Sequence, residues 1–271
     1  MVAQSAEIII GTPAAVPSEY WFHMKLSIIT AVFNREKTIG HAIDCLQQQR
    51  YADFEHIIVD GKSSDGTLAV AQLRADSRTR IISEPDTGIY DAINKGIAAA
   101  TGDVIGLLHS DDLLANEAVL GDVASRFLKT ESDGVYGDLE YVRADDTDKV
   151  VRLWRARKFS PRRLKWGWMP PHPTVFLRRT VIEKHGSYDD DYRIAADYEA
   201  MLRYFSDTDL RWSYLPQVLV KMRVGGASNG SVQKLLSKSL EDYKSIRRHR
   251  IGGPLTLAMK NLSKISQFYL R

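Results

Sequence analysis

The chain holds one cysteine, Cys45, in 271 residues, so no disulfide can form within it. That excludes a disulfide-stapled scaffold and fits a reducing compartment. No apolar run approaches the roughly 18 to 20 residues that a membrane-spanning helix needs. The N-terminus has no basic stretch leading into an apolar core, so no secretory signal is expected and a cytoplasmic location follows. Net charge is only +3, too little to argue for a nucleic-acid partner. Hydrophobic residues at 44% and charged residues at 26% are ordinary for a globular protein, and they exclude wholesale disorder.

Charge is unevenly placed. Residues 231–271 carry nine Lys/Arg and only two acids, Glu241 and Asp242, a local charge of +7 that leaves the rest at −4. Such asymmetry suggests a separate job for the tail. Met24 stands directly before the first good strand. The expected organisation is therefore an extension over 1–23, a catalytic domain over 24–230 and a basic amphipathic tail over 231–271.

Within 24–130, apolar runs alternate with helical patterns. Strands are expected at 26–32, 56–60, 80–83 and 104–108, and helices from 39, from 67, over 90–100 and over 117–129. Ile39, Ala42, Ile43 and Leu46 give the first helix its i, i+3, i+4, i+7 stripe. Strands that are apolar throughout, at βαβ spacing, imply an α/β fold with a mainly parallel sheet covered on both faces. The later half suggests a mixed extension: strands within 135–142, at 174–177 and at 217–224, and a helix over 195–205. The prolines of 166–173 forbid a helix there.

In such sheets ligands bind beyond the carboxyl ends of the strands, and polar residues gather there: Asn34, Asp60 and Ser110–Asp112. Asp111 and Asp112, adjacent at a strand end, suit a hard divalent cation that would bridge diphosphate oxygens; the plainer reading is that one of them caps the next helix. Asp60 could accept hydrogen bonds from a nucleobase or ribose, whereas Asp65 reads as an N-cap. Asp91 and Lys95, at i and i+4, are either a surface ion pair or ligands of ribose or phosphate. Asp197 is the candidate base for an attacking hydroxyl, with Glu199 its rival and helix capping its plain alternative. One base without a second nucleophilic carboxylate nearby in sequence suits single displacement with inversion.

His172, in a Pro-His-Pro frame, is a core residue or a contact to donor phosphate or acceptor. Trp166 and Trp168 either stack on a sugar or pack in the core. The glycine-rich run 225–230 is a linker or a lid. Asn229 and Asn261 begin glycosylation sequons, which without a secretory signal are read as chance. The tail from 243 onward, split by Gly252–Pro254, is either an amphipathic element lying on an anionic membrane face or a helix packed on the catalytic domain.

Taken together, 27–34 (SIITAVFN), 58–67 (IVDGKSSDGT), 84–91 (EPDTGIYD) and 102–112 (GDVIGLLHSDD) resemble the family 2 glycosyltransferases of GT-A fold, over about 24–231. The resemblance implies an inverting hexosyltransferase-like enzyme with a nucleotide-diphosphate sugar donor, a saccharide or lipid-linked saccharide acceptor, and Mg2+ or Mn2+. It implies Asp112 as metal ligand, Asp111 near metal or ribose, Asp197 as general base, and Ala31, Phe33 and Asp60 around the nucleobase. Bacterial relatives usually build surface polysaccharide at the inner membrane face, which a basic tail would suit. Two departures stand out: Gly61 replaces a second Asp that reads the base in some members, and the metal motif is Ser-Asp-Asp rather than Asp-x-Asp. Competing functions are a silent sugar-nucleotide or polysaccharide-binding module, and a nucleotidyltransferase. The intact Asp111, Asp112 and Asp197 speak against the first. The absence of glycine after the first strand, at 30–35, speaks against the second.

Overall fold

A computed structural model of the chain describes residues 24–225 and 232–263. The extension 1–23, the glycine-rich run from 226 with Asn229, and residues 264–271 lie outside the described residues.

The sheet begins as expected. Strands β1 (Leu26–Val32), β2 (Phe54–Asp60), β3 (Thr79–Ser83) and β4 (Val104–Leu107) run parallel in the order β3-β2-β1-β4. Helices α1 (Ile39–Gln47), α2 (Thr67–Arg74) and α3 (Ile89–Ala99) make the crossovers. β1 is buried along its whole length. Its side chains alternate between faces, as the two-residue period of a strand requires. Leu26 and Ile28 enter the core with Ala42, Leu46 and Phe127, while Ile29 and Ala31 enter the core with Ala92, Ile93 and Tyr198.

Beyond β4 the sheet is mixed, as expected for the C-terminal extension. The order continues β4-β8-β6-β9-β5, with β7 pairing β6 off this path. Here β5 is Leu113–Leu114, β6 Gly134–Val142, β7 Val150–Trp154, β8 Phe176–Arg178 and β9 Trp212–Arg223. The short strands β5 and β7, and the helices α5 (Pro161–Leu164) and α6 (Arg179–His185), were not anticipated from the sequence. The expected helix over 117–129 is α4 (Val119–Thr130), and that over 195–205 is α7 (Ala196–Ser206).

The tail is not a free appendage where it is described. α8 (Val232–Arg248) and α9 (Pro254–Ser263) pack on the catalytic domain. Glu241 accepts hydrogen bonds from the backbone N–H groups of Ile194 at 2.9 Å and Ala195 at 2.8 Å. It thereby supplies the N-terminal cap that α7 lacks in its own side chains. His249 meets Glu199 at 2.8 Å. Lys260 forms a 2.5 Å ion pair with Asp242, each side chain 3% exposed. Gly167, at φ +74, lies so close to α9 that a Cβ there would come within 2.4 Å of the Lys260 backbone N. Within 232–263 the described helices are packed on the rest of the protein. Lys260, one of the nine basic residues of the tail, is a buried ion.

Replacing Asp242 by Ala would strand the Lys260 ammonium in the interior. The expected cost is roughly 3–5 kcal/mol of folding stability, read by urea denaturation. A loss under about 1 kcal/mol would mean that the tail is loosely held.

Candidate active site

The site is assembled at the carboxyl ends of β1, β2 and β4. Its floor is two cross-braced loops. Asn34, at φ 53, accepts from the Ser64 N–H at 2.9 Å, while its own N–H donates to Ser63 Oγ at 2.9 Å. Arg35 N–H donates to Thr67 Oγ1 at 2.7 Å, and Gly66 N–H donates to Glu36 at 2.9 Å. Asp65 does hold the start of α2, accepting from Thr67 N–H at 3.0 Å, but the N-cap position itself is Gly66.

Asp60 ends β2 and is 1% exposed. Its carboxylate accepts from Ser83 Oγ at 2.8 Å and from the Ser63 N–H at 3.2 Å, so it ties the loop to β3. Ala31 is buried in β1, and Phe33, just beyond that strand, is 56% exposed. An exposed aromatic beside a buried carboxylate can offer a stacking face and an acceptor to a planar heterocycle. The space above Gly61 is taken by Asp86: a Cβ on Gly61 would fall 2.1 Å from Asp86 Oδ2. Burial, with Asp91 and Asp60 adding to it, raises the Asp86 pKa above the usual carboxylate value.

Asp91 and Lys95 form the expected ion pair, at 3.4 Å on α3. Lys95 also meets Glu84 at 3.1 Å and the Pro85 carbonyl at 2.6 Å, and Asp91 accepts from the Thr87 N–H at 2.9 Å. Both are engaged in holding the 84–91 segment against the first turns of α3.

After β4 the chain turns through His109, Ser110, Asp111 and Asp112. Neither aspartate caps α4, which begins only at Val119 with Ala118 at its N-cap. Asp112 is 1% exposed, and its Oδ2 is buried without a hydrogen-bond partner. Burial, then the neighbouring Asp111 charge, pushes its pKa well above the ordinary carboxylate value, against the pull of Arg223. Arg223 Nη1 donates to the Asp111 carbonyl at 2.7 Å and so clamps the turn from β9. A buried, partnerless carboxylate oxygen next to a second carboxylate is costly unless a cation neutralises it. Among the described residues no group of three or more His, Cys, Asp or Glu surrounds a point that could hold a metal. The protein side of a metal site would therefore be Asp112 and Asp111, with phosphate oxygens and water completing the shell. That is the way Mg2+ is commonly held, by one or two carboxylates plus substrate phosphates. The donor set fits Mg2+ or Mn2+.

Asp197 lies in the first turn of α7, where the positive end of the helix dipole favours a carboxylate. Burial raises its pKa, but His172, Lys238, Lys260 and the Tyr198 N–H outweigh that and leave it below the usual value. His172 itself is buried and pushed down to about 4 by desolvation, so at neutral pH the two lysines remain the charged partners. Asp197 is thus ionised and able to accept a proton. Tyr90 Oη–H reaches its Oδ1 at 3.4 Å and donates more firmly to the Ile194 carbonyl at 2.8 Å. Glu199, the rival base, is 1% exposed and held between Arg203 at 3.0 Å and His249 at 2.8 Å; its carboxylate is structural.

His172 sits in a 3-10 turn, His172–Thr174, with Nε2 2.7 Å from Tyr188 Oη. Its ring lies 6.0 Å from that of His109. His109 senses the charges of both Asp111 and Asp197, while desolvation lowers its pKa. His109, beside the aspartate pair in the chain, and His172, which influences Asp197, thus bring regions far apart in sequence together. Sequence reasoning missed His109, Tyr90, Tyr188, Lys238 and Arg223 as parts of this site; only His109, adjoining the aspartate pair, carried a sequence signal. Trp168 packs in the core, donating Nε1–H to the Ala156 carbonyl at 2.7 Å against Tyr136, Phe159 and Phe205. Trp166 is exposed.

Residues 27–186 match the family described as "Glycosyl transferase family 2". A Mycobacterium tuberculosis protein named "PGL/p-HBAD biosynthesis glycosyltransferase" is 33% identical over 222 residues, covering 79% of this chain and 83% of its own length. A second protein from that organism, an uncharacterized glycosyltransferase, is 34% identical over 183 residues, 66% of this chain and 68% of its own. Among solved structures, S. aureus TarS 1-349 in complex with UDP-GlcNAc superposes with a TM-score of 0.63 at 19% identity, covering 91% of this chain and 72% of that one. The mannosyltransferase PcManGT from Pyrobaculum calidifontis, in complex with GDP-Man and Mn2+, gives 0.61 at 16% identity, covering 92% and 71%. At such identities the structural likeness establishes the fold alone.

Proposed function

Because the chain belongs to glycosyl transferase family 2 and is therefore a glycosyltransferase, we propose that it transfers a sugar from a nucleoside-diphosphate donor to an acceptor hydroxyl with inversion, using Asp197 as base. The observation that carries this reading is the opposition of two different carboxylate environments: Asp112, raised and partnerless, and Asp197, lowered and ionised. Environments that push two carboxylates apart mark distinct chemical roles.

In this reading Asp197 takes the proton from the acceptor hydroxyl as its oxygen bonds to the anomeric carbon. The bond from that carbon to the diphosphate breaks on the opposite side, and the electron pair leaves with the nucleotide. When bound, Mg2+ or Mn2+ held by Asp112 and Asp111 supplies charge neutralisation for the diphosphate. Phe33 and Asp60 receive the base, with Ala31 behind them. Asp91 and Lys95 keep the 84–91 segment in place beside the ribose and phosphates. His172, fixed by its hydrogen bond to Tyr188, is the contact to donor phosphate or acceptor.

The solved neighbours carry UDP-GlcNAc and GDP-Man, so the nucleotide of this chain is best found by trial. The acceptor is proposed to be a saccharide or a lipid-linked saccharide of cell-surface glycolipid or polysaccharide, reached at the inner membrane face. The relatives named for PGL/p-HBAD biosynthesis motivate that class. Neither a nucleotidyltransferase nor a silent binding module finds support among these relatives.

The test is calorimetric titration with UDP, GDP, CDP and dTDP, each with Mn2+ and with EDTA. One nucleotide is expected to bind, and only with the metal. Equal affinity in EDTA would remove the metal from the donor site; no binding of any nucleotide would remove the donor site itself.

A further inference from the structure

α9 is turned the unusual way round. Its inward side carries Thr256 and Lys260, both buried, the lysine paired with Asp242, together with Leu257, which packs against the core. Its outward face carries Leu255, Ala258 and Leu262, spaced i, i+3, i+7 in one stripe and all exposed. Leu255 is 67% exposed and Leu262 55%. Thr256 Oγ1–H donates to the Lys165 carbonyl at 2.9 Å, which seats the first turn of α9 beside Trp166, itself 59% exposed.

Cations lie on the segments that adjoin these apolar residues in the chain. Arg162, Lys165 and Arg250 are exposed and have no ion-pair partner among the described residues. Lys165 and Arg250 come together on the lining of one cavity of about 270 Å3, with Leu164, Phe205 and Ile251 beneath them. The acid on that lining, Asp207, is already engaged by Lys184 and His185, each at 3.0 Å. Residues 243–263 contain no acid at all.

We propose that this face, formed by Trp166 and the outer side of α9, with Arg162, Lys165 and Arg250 on the adjoining segments, docks the protein on an anionic lipid surface. Resting on the reading of a membrane-side acceptor given above, it assigns the contact to a folded face of the catalytic unit. Exposed leucines and a tryptophan among unpaired cations match the requirements of an interfacial anchor: apolar groups for the acyl boundary, an indole at the headgroup level and basic side chains for anionic lipid. A second copy of the chain would bring the same cations against these and is disfavoured by like charge. α7 links the two regions, with Asp197 in its first turn and Phe205 on the cavity lining near its far end. At 1.5 Å per residue, Asp197 lies roughly 12 Å along the helix from Phe205.

The experiment is flotation of the full-length protein with vesicles of phosphatidylcholine, alone or with about one-third phosphatidylglycerol, for three proteins: wild type, Arg162→Gln/Lys165→Gln, and Leu255→Asp/Leu262→Asp. Wild type is expected to float with the anionic vesicles only. Removing two cations should weaken partitioning roughly 25-fold, about fivefold for each, and the leucine variant should lose it. The substituted side chains are exposed, so circular dichroism and metal-dependent nucleotide binding are expected to stay as in wild type. Nucleotide binding also separates this proposal from the donor assignment, since either can fail alone. Wild-type flotation by either variant, equal flotation on neutral vesicles, or self-association abolished by the leucine variant would overturn it, the last in favour of a dimer interface.

Discussion

Asp197→Asn is expected to lower transfer by between about a hundredfold and ten-thousandfold, the range that a positioned general base contributes, while nucleotide affinity stays within about twofold of wild type. The substitution keeps the shape of the side chain and its place in the first turn of α7, so the cap from Glu241 and the packing of Tyr198 remain. Only the proton-accepting charge is lost. The Asp197 pKa is held down by nearby positive groups, so the wild-type base is ionised through the neutral range and its loss cannot be rescued by raising the pH. Glu199→Gln provides the contrast: its carboxylate binds Arg203 and His249, so the expected damage is to stability rather than to the chemical step. If Asp197→Asn turns over at the wild-type rate, the base lies elsewhere.

Asp112→Asn is expected to remove metal-dependent nucleotide binding, with a loss of at least about a hundredfold in affinity, since a neutral amide replaces the better-buried of two anionic ligands. It should also stabilise the metal-free protein. The folded-state pKa of Asp112 is raised. The native protein therefore retains a proton that the unfolded chain gives up as the pH climbs past about 4. The contribution of Asp112 to stability falls as pH rises, the reverse of a salt-bridged carboxylate. The amide removes that fall. In EDTA at slightly alkaline pH, the mutant is expected to unfold at a higher urea concentration than wild type, whereas added Mn2+ with nucleotide should stabilise wild type alone. A mutant that is less stable in EDTA would show that Asp112 is satisfied within the fold, and the case for a cation there would lapse.

These effects bear on why Ser110–Asp112 differs from an ordinary helix start. On the sequence alone, capping was the plainer reading. The chain instead spends residues 113–118 on the edge strand β5 and a turn before α4 begins, so neither aspartate has helix N–H groups to satisfy. For Asp91 and Lys95 the i, i+4 pair forms as spacing alone would suggest.

The parallel half of the sheet was legible because each of its strands is a short run buried on both faces and each crossover helix carries its own stripe. β1 and α1 are local statements about burial that any chain context would honour. Asp60 and Asp112 were legible for the same reason, since strand ends in such a sheet are where ligands sit. What the sequence could not decide was long-range. Glu199 is engaged by Arg203, a local i, i+4 partner, and by His249, 50 residues away, and only the first could be read from spacing. Nothing local turns Lys260 inward and Leu255 and Leu262 outward; Asp242, 18 residues away, supplies a carboxylate that pairs with the buried ammonium. The pairing of His109 with His172 likewise exists only because β8 lies beside β4 in the sheet, bringing the turn before the one against the turn after the other. Residue patterns fixed the strands and the acids at their ends, because burial and periodicity are local. The partners of those acids were set by the tertiary structure, because electrostatic environment depends on which distant groups the fold brings together.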